Sequence, residues 1–295
     1  DRVITQAELA NMFMQSEFGK KWDSNVSDEL IKNVDKKVLE KFFNEAVNAG
    51  RLPAEKFSTA KVLDKIGLSK GEYLTNAGNL LFSRKNPISL KMAQFATGDK
   101  VTFLDMRTEV GNIFSLLETA EQYILKNIRW KIEITNLERE EVPEIPVAVI
   151  REVLANSFAH SIYNGSTEHE ICIHPNKITV YNPGCFASKY VPSDYEKKNL
   201  PSFIRNEQIA KCLYLSKKIE KFGSGIQRIS SLCKDSKIKY KFENSEDGFA
   251  VILFRSDIVS DTSNVTLDVT LNSSEMAVLA LLRRNPNQTR AELAL

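Results

Sequence analysis

The chain has 295 residues, 42% hydrophobic and 26% charged, a balance that suits a globular protein with two or three cores. Forty lysines and arginines against 38 acidic residues leave a net charge of +2, so any nucleic-acid surface must be local rather than chain-wide. The four cysteines lack C-x-x-C spacing and regular histidine partners, which points away from zinc and toward reduced thiols in a cytoplasm. No apolar run approaches the roughly 20 residues that span a bilayer, so no membrane partner is expected.

In chain order, residues 1–85 read as mainly helical. Apolar positions recur at helical spacing in Ala7–Phe18 and Val38–Val47, with Asp35 as N-cap and Gly50 as stop for the second helix. Thr75 caps a helix running to about Phe82. Lys91–Ala96 and Val101–Met106 read as strands joined through Gly98-Asp99. The pattern then changes to a long helix over Ile113–Ile128 and a strand over Lys131–Thr135. Pro143 and Pro146 precede a helix carrying Glu152. Strands are predicted over Glu170–His174 and Lys177–Tyr181, helices over Glu207–Leu213 and Ile226–Cys233, and a last hairpin over Lys237–Phe242 and Phe249–Phe254. This is an α+β sandwich, helices layered on one face of a mostly antiparallel sheet. Residues 256–272, rich in Ser, Asp, Thr and Asn, read as a linker. Ser273 caps a further helix, and Thr289 starts another in the manner of a winged helix-turn-helix that is incomplete at Leu295. Opening on Asp1 rather than Met, the chain is expected to be part of something longer.

Two stretches carry chemistry. In Arg151–Tyr163, Glu152 and Asn156 lie four apart on an otherwise apolar helix, so both polar heads share one face, with His160 a turn further on. Such a pair can hold magnesium through the amide oxygen and orient a water through the carboxylate. In Lys221–Ile226 the glycine pair Gly223-Ser224-Gly225 opens a helix, where unpaired amides and the helix dipole favour a phosphate. Together they suggest a nucleotide pocket. Plainer readings stand beside this one: Glu152 can pair with a basic neighbour, His160 can be a satisfied core or surface residue, Asn182-Pro183-Gly184 can be a simple turn, and a lone Gly-x-Gly is weak evidence. Arg205, with its fork of donors, is the better candidate for an anion than the lysine pairs.

The stretches Leu74–Phe82, Glu141–Pro146, Arg151–His160, Tyr181–Gly184, Arg205-Asn206 and Glu220–Ile226 occur here in an order that resembles bacterial and archaeal proteins described as RecG-like or divergent-AAA transcriptional regulators. The resemblance implies a connecting region over 1–109, a GHKL-type (Bergerat-fold) ATPase-like domain over 110–255, and a truncated winged helix over 273–295. An Alba/Schlafen-type domain would precede Asp1. It further implies ATP and magnesium as cofactors, with Glu152 as base or water-positioner and Asn156 reaching the metal. Asn182 and Gly184 stand where such ATPases place the Asp-x-Gly that receives adenine. Gly223, Ser224 and Gly225 resemble the phosphate-covering box, and His160 and Arg205 complete the cofactor-binding set.

Three departures weigh on turnover. Asn182 replaces the Asp, losing a charge-assisted bond. Gln227 stands where the box often has another glycine. His160-Ser161-Ile162-Tyr163 replaces His-Arg-Asp-Tyr. The expectation is therefore a cytoplasmic, homodimeric, DNA-binding transcriptional regulator that binds ATP rather than hydrolysing it efficiently, with DNA contacted by the winged helix and the preceding domain. A weak magnesium-dependent ATPase and a degenerate scaffold linking nucleic-acid-binding ends are the alternatives. The absence of a Walker motif excludes a P-loop helicase.

Overall fold

The computed structural model describes residues 19–85, 88–135, 138–163, 168–186, 190–197, 200, 204–219 and 225–255. The expected helix Ala7–Phe18, the linker and the winged helix lie outside the described residues. Residues 1–256 form one compact unit and 257–295 another. Among the described residues, no helix is long and apolar enough to cross a membrane.

The N-terminal region is mixed. After a 3-10 segment (Gly19–Ser24) comes strand β1 (Val26–Leu30) and then helix α1 (Lys36–Asn48). As expected, the Asp35 carboxylate caps α1, accepting from the amides of Lys37 and Val38 at 3.0 and 3.3 Å. Gly50 ends the element at φ +67°. Helix α2 (Thr59–Ile66), whose buried Val62, Leu63 and Ile66 share one face at helical spacing, was missed in the sequence, and the short strands β2 (Ser69–Lys70) and β3 (Tyr73–Thr75) are too brief for alternation to mark them. These strands join β1 in a three-stranded sheet of order β1-β3-β2. Helix α3 (Asn76–Phe82) begins at its expected cap, Thr75 Oγ1 accepting from Gly78 N at 3.1 Å.

The larger layer starts with β4 (Ser89–Phe95) and β5 (Phe103–Val110), the hairpin expected in the connecting region. Helix α4 (Ile113–Asn127), the hairpin β6 (Trp130–Thr135) and β7 (Glu138–Pro143), and helix α5 (Val147–His160) follow. Strands β8 (His169–Ile173) and β9 (Lys177–Pro183) come next, then helices α6 (Pro192–Lys197), α7 (Glu207–Leu215) and α8 (Gly225–Asp235). The last hairpin is β10 (Tyr240–Asn244) with β11 (Gly248–Phe254). Six of these strands form one sheet of order β10-β11-β9-β8-β4-β5. Every pairing in it is antiparallel except β4 with β8, so the sheet is mixed and largely antiparallel. Strand alternation turns Leu90, Met92, Ile171, Ile173, Ile178 and Val180 into the helix-covered core. Ala93, Phe95 and Cys172 form a small separate cluster on the opposite face.

One buried ion cluster ties the separate β6–β7 hairpin to the large sheet. The Glu144 side chain is 3% exposed and accepts from Arg129 Nε at 2.9 Å and from Arg255 Nε at 2.8 Å. Arg255, just past β11, also donates to His174 O at 2.8 Å. Removing one member of a buried pair strands the other charge. Glu144→Ala should therefore destabilise the fold by about 3–5 kcal/mol in urea denaturation; a loss below about 1 kcal/mol would mean that the cluster is incidental to the fold.

Candidate functional site

Helix α5 is the centre of the site. It starts directly after Pro146, whose missing N–H costs nothing at a helix start. It packs against α4, α7, α8 and β9. Its buried residues include Val149, Ile150, Val153, Leu154 and Phe158, and among them Glu152 is 7% exposed. The four-residue spacing holds: Glu152, Asn156 and His160 lie along one face. Asn156 Nδ2 donates to both Glu152 O and Glu152 Oε1 at 2.7 Å, so the two heads are joined within the helix.

The first residue of α8 lies against this stripe. A Cβ built on Gly225 would overlap Asn156 Oδ1 and stand 2.8 Å from its Cγ. Gly225 thus leaves the room that the Asn156 amide occupies, a reason the sequence alone could not supply. Gly223 and Ser224 lie outside the described residues.

At the other end of α5, Asn182, Gly184 and Arg205 come together. Ile162 N donates to Pro183 O at 3.0 Å, and Gly184 N donates to Asp247 O at 2.8 Å, fixing the end of β9 beneath the end of α5. Gly184 has φ +92°, and a Cβ there would overlap Arg205 Nη1 and stand 2.6 Å from Ile162 Cγ1. Asn182 is 3% exposed, and its Nδ2 donates to Pro183 O at 3.2 Å. Arg205 Nη2 donates to Cys185 O at 2.7 Å, while its buried Nη1 has no hydrogen-bond partner among the described residues.

Asn206 was not singled out in the sequence for a role of its own. Its Nδ2 donates to Ala159 O at 3.0 Å and Ser161 O at 2.8 Å, satisfying carbonyls at the end of α5. Standing just before α7 it reads as an ordinary N-cap, yet its side chain makes no cap bond. Asp23 Oδ2 takes that role instead, accepting from Gln208 N at 2.6 Å. Burial raises the Asp23 carboxyl pKa, against the opposing effect of that bond.

Burial shapes the charges. It pushes the His160 pKa down to about 4, with the Arg205 charge as the second cause. Burial also brings Arg205 down to about 10. His169, stacked on Phe158 at 4.4 Å between ring centroids, falls to about 4, again through burial. At neutral pH the site therefore presents a neutral imidazole beside a guanidinium. Among the described residues no group of three or more His, Cys, Asp and Glu side chains comes together for a metal. Magnesium commonly takes only one or two protein oxygens and completes its shell with phosphates and water. The oxygens of Glu152 and Asn156 fit that donor set.

Comparison with known proteins adds two findings. Residues 167–253 match the family described as "Putative ATP-dependent DNA helicase recG C-terminal". The matched segment holds Asn182, Gly184, Arg205 and Gly225, but begins only after Glu152, Asn156 and His160 on α5. The fold is similar to the crystal structure of the DIP2311 protein from Corynebacterium diphtheriae, with TM-score 0.68 and 17% identity. That likeness covers 86% of this chain and 51% of the other, so this chain spans about half the length of that protein. No curated protein matches the sequence. These findings support a RecG-like, GHKL-type ATPase-like domain.

Two outcomes are expected from this geometry. Gly225→Ala should cost about 1–3 kcal/mol through overpacking on Asn156, and adding Asn156→Ala should relieve part of it. Additive losses in that double-mutant cycle would rule out the contact. The second concerns pH. An unfolded histidine titrates near 6.5 and folded His160 near 4, so between these values the unfolded state binds more protons. Stability contributed by the neutral ring is present above that window and is lost as pH falls through it; His169 acts in the same direction. The melting temperature should fall from pH 7 to pH 5, and fall less in His160→Gln. An unchanged slope in that variant would mean that His160 is not held neutral.

Proposed function

We propose that this chain is a nucleotide-sensing part of a DNA-binding transcriptional regulator, with ATP and magnesium as its ligands. The observation that carries this reading is the convergence on α5: Glu152 and Asn156 beneath Gly225 at the start of α8, with Gly184 and Arg205 at the helix's far end. In this mode Asn156 would reach the metal, Glu152 would position a water beside it, and Arg205, whose Nη1 has no partner among the described residues, would meet an anionic group. A bound nucleotide would supply the phosphates that complete the magnesium shell. Asn182 and Gly184 would lie at the base, as the family resemblance implies, and Gly223-Ser224-Gly225 would cover the phosphates. DNA would be contacted through a winged helix over 273–295 and a domain preceding this chain, in a homodimer.

Binding without efficient turnover is favoured by one detail. Glu152 Oε1 already accepts from Asn156 Nδ2, so a base that must take a proton from water is engaged within its own helix. A scaffold with a relic site is the second reading, favoured by Asn182 standing where an Asp would make a charge-assisted bond. The two part on ligand-induced stabilisation. A ligand at 100 times its Kd adds about 2.7 kcal/mol to stability. Magnesium-dependent melting shifts with ATP, ADP and a non-hydrolysable analogue are expected for the wild type and should vanish in Asn156→Ala. No shift with any nucleotide would leave the scaffold reading.

A further inference from the structure

The six-stranded sheet has two differently built edges. Strand β10 is five residues long, and so short an edge offers little to pair with another chain. Strand β5 is eight residues long and has no strand on its outer side among the described residues. Phe103, Leu104, Met106 and Val110 on it are 51%, 62%, 67% and 65% exposed. A long edge that exposes apolar residues between its charges is a template for another strand. We propose that β5 pairs antiparallel with β5 of a second copy of this chain, Thr108 lying on the two-fold axis, so that the two six-stranded sheets continue into each other.

The backbone says which groups are available. Gly111 N donates to Ile88 O at 3.2 Å, directly beyond the Ser89–Val110 pair. In an antiparallel ladder the inward-bonding residues alternate with outward-facing ones. Met106, Thr108 and Val110 therefore turn their N–H and C=O away from β4, toward the open edge. A two-fold interface pairs i with j and j with i, and opposed residues share a face of the pleat. One residue must then sit on the axis.

Charge and regularity choose it. With Arg107 on the axis, that guanidinium faces its own copy and Asp105 faces Glu109 of the partner subunit, and like charges directly opposed are destabilising. With Met106 there, Leu104 must enter the ladder. Leu104 is the extra residue at the irregularity where Gln94 pairs with Asp105 but Phe95 pairs with Phe103. With Thr108 on the axis, Arg107 faces Glu109 of the partner subunit and Met106 faces Val110 of the partner subunit, each pairing occurring twice. This register uses only the regular part of the strand and satisfies all three outward-facing residues. It rests on the edge alone and stands or falls apart from the nucleotide reading.

The test is oxidative crosslinking of the whole chain in three variants, Met106→Cys, Arg107→Cys and Thr108→Cys, with sedimentation of charge variants. Residues opposed on the axis in a hydrogen-bonded pair have Cα atoms about 5.5 Å apart, within disulfide range. Thr108→Cys should give a covalent dimer well ahead of the other two variants and of the wild type, in which Cys172, Cys212 and Cys233 are buried and the half-buried Cys185 sets the background. Arg107→Glu should weaken dimerisation about tenfold, because two attractive cross-strand pairs become repulsive. Adding Glu109→Arg should restore it, an outcome that misfolding could not produce. A wild type that stays monomeric at all concentrations, faster crosslinking at position 106 or 107, or a charge swap that fails to rescue would each overturn the proposal.

Discussion

The site depends on one constraint: α5 must be buried on several sides while carrying polar groups on one of its faces. A helix in that position reads as nearly continuous apolar sequence, and Val147–His160 does, broken chiefly by Arg151, Glu152, Asn156 and His160. Arg151 escapes outward to Glu121, at 2.7 Å. Glu152 is buried and Asn156 and His160 are half-buried, and each is accommodated differently. Glu152 and Asn156 bond to each other, and His160 stays neutral. The open carbonyls at the helix end are taken by Asn206. Since an unmet buried polar group costs on the order of 1–3 kcal/mol, these arrangements fix where α7, α8 and the end of β9 can sit.

Much of this could be read in the sequence, for identifiable reasons. Asp35 and Thr75 announced α1 and α3 because capping is local, a matter of three residues. The Glu152–Asn156–His160 face was legible because helical spacing is arithmetic. What stayed hidden is non-local. Asp23 caps α7 from 185 positions away, and no pattern near either residue records it. Gly225 read as part of a phosphate box, and the close packing on Asn156 gives that glycine a second reason to exist. The β4–β5 hairpin was recognised, but nothing in its own residues said that β4 would run parallel to β8. The three-residue strand β3 and two-residue strand β2 are too short for alternation to register.

The charges along α5 have a direction. Glu152 lies toward the helix start, and Arg205 lies against its end, with neutral His160 between Arg205 and Asn156. The guanidinium keeps its charge at neutral pH even with its pKa lowered to about 10, and among the described residues it donates to a carbonyl, Cys185 O, rather than to a carboxylate. Such an arrangement suits a ligand that carries a divalent cation at one end and oxygen or ring acceptors at the other. That asymmetry is a property of the helix face, independent of whether any bond is cleaved.

The proposed seam and the proposed site lie at different places in one sheet. Strand β9, which carries Asn182, is separated from β5 by β8 and β4, a lateral distance of about 15 Å at ordinary strand spacing. Helix α4 bridges that distance, packing on β4 and β8 below and on α5 beside it. A nucleotide that drew α8 and α5 into a different arrangement would therefore press on the helix that backs the edge hairpin. Contact alone does not make this allostery, since a ligand shifts a dimer only by the difference in its affinity for the two forms. The architecture supplies the physical continuity such coupling requires.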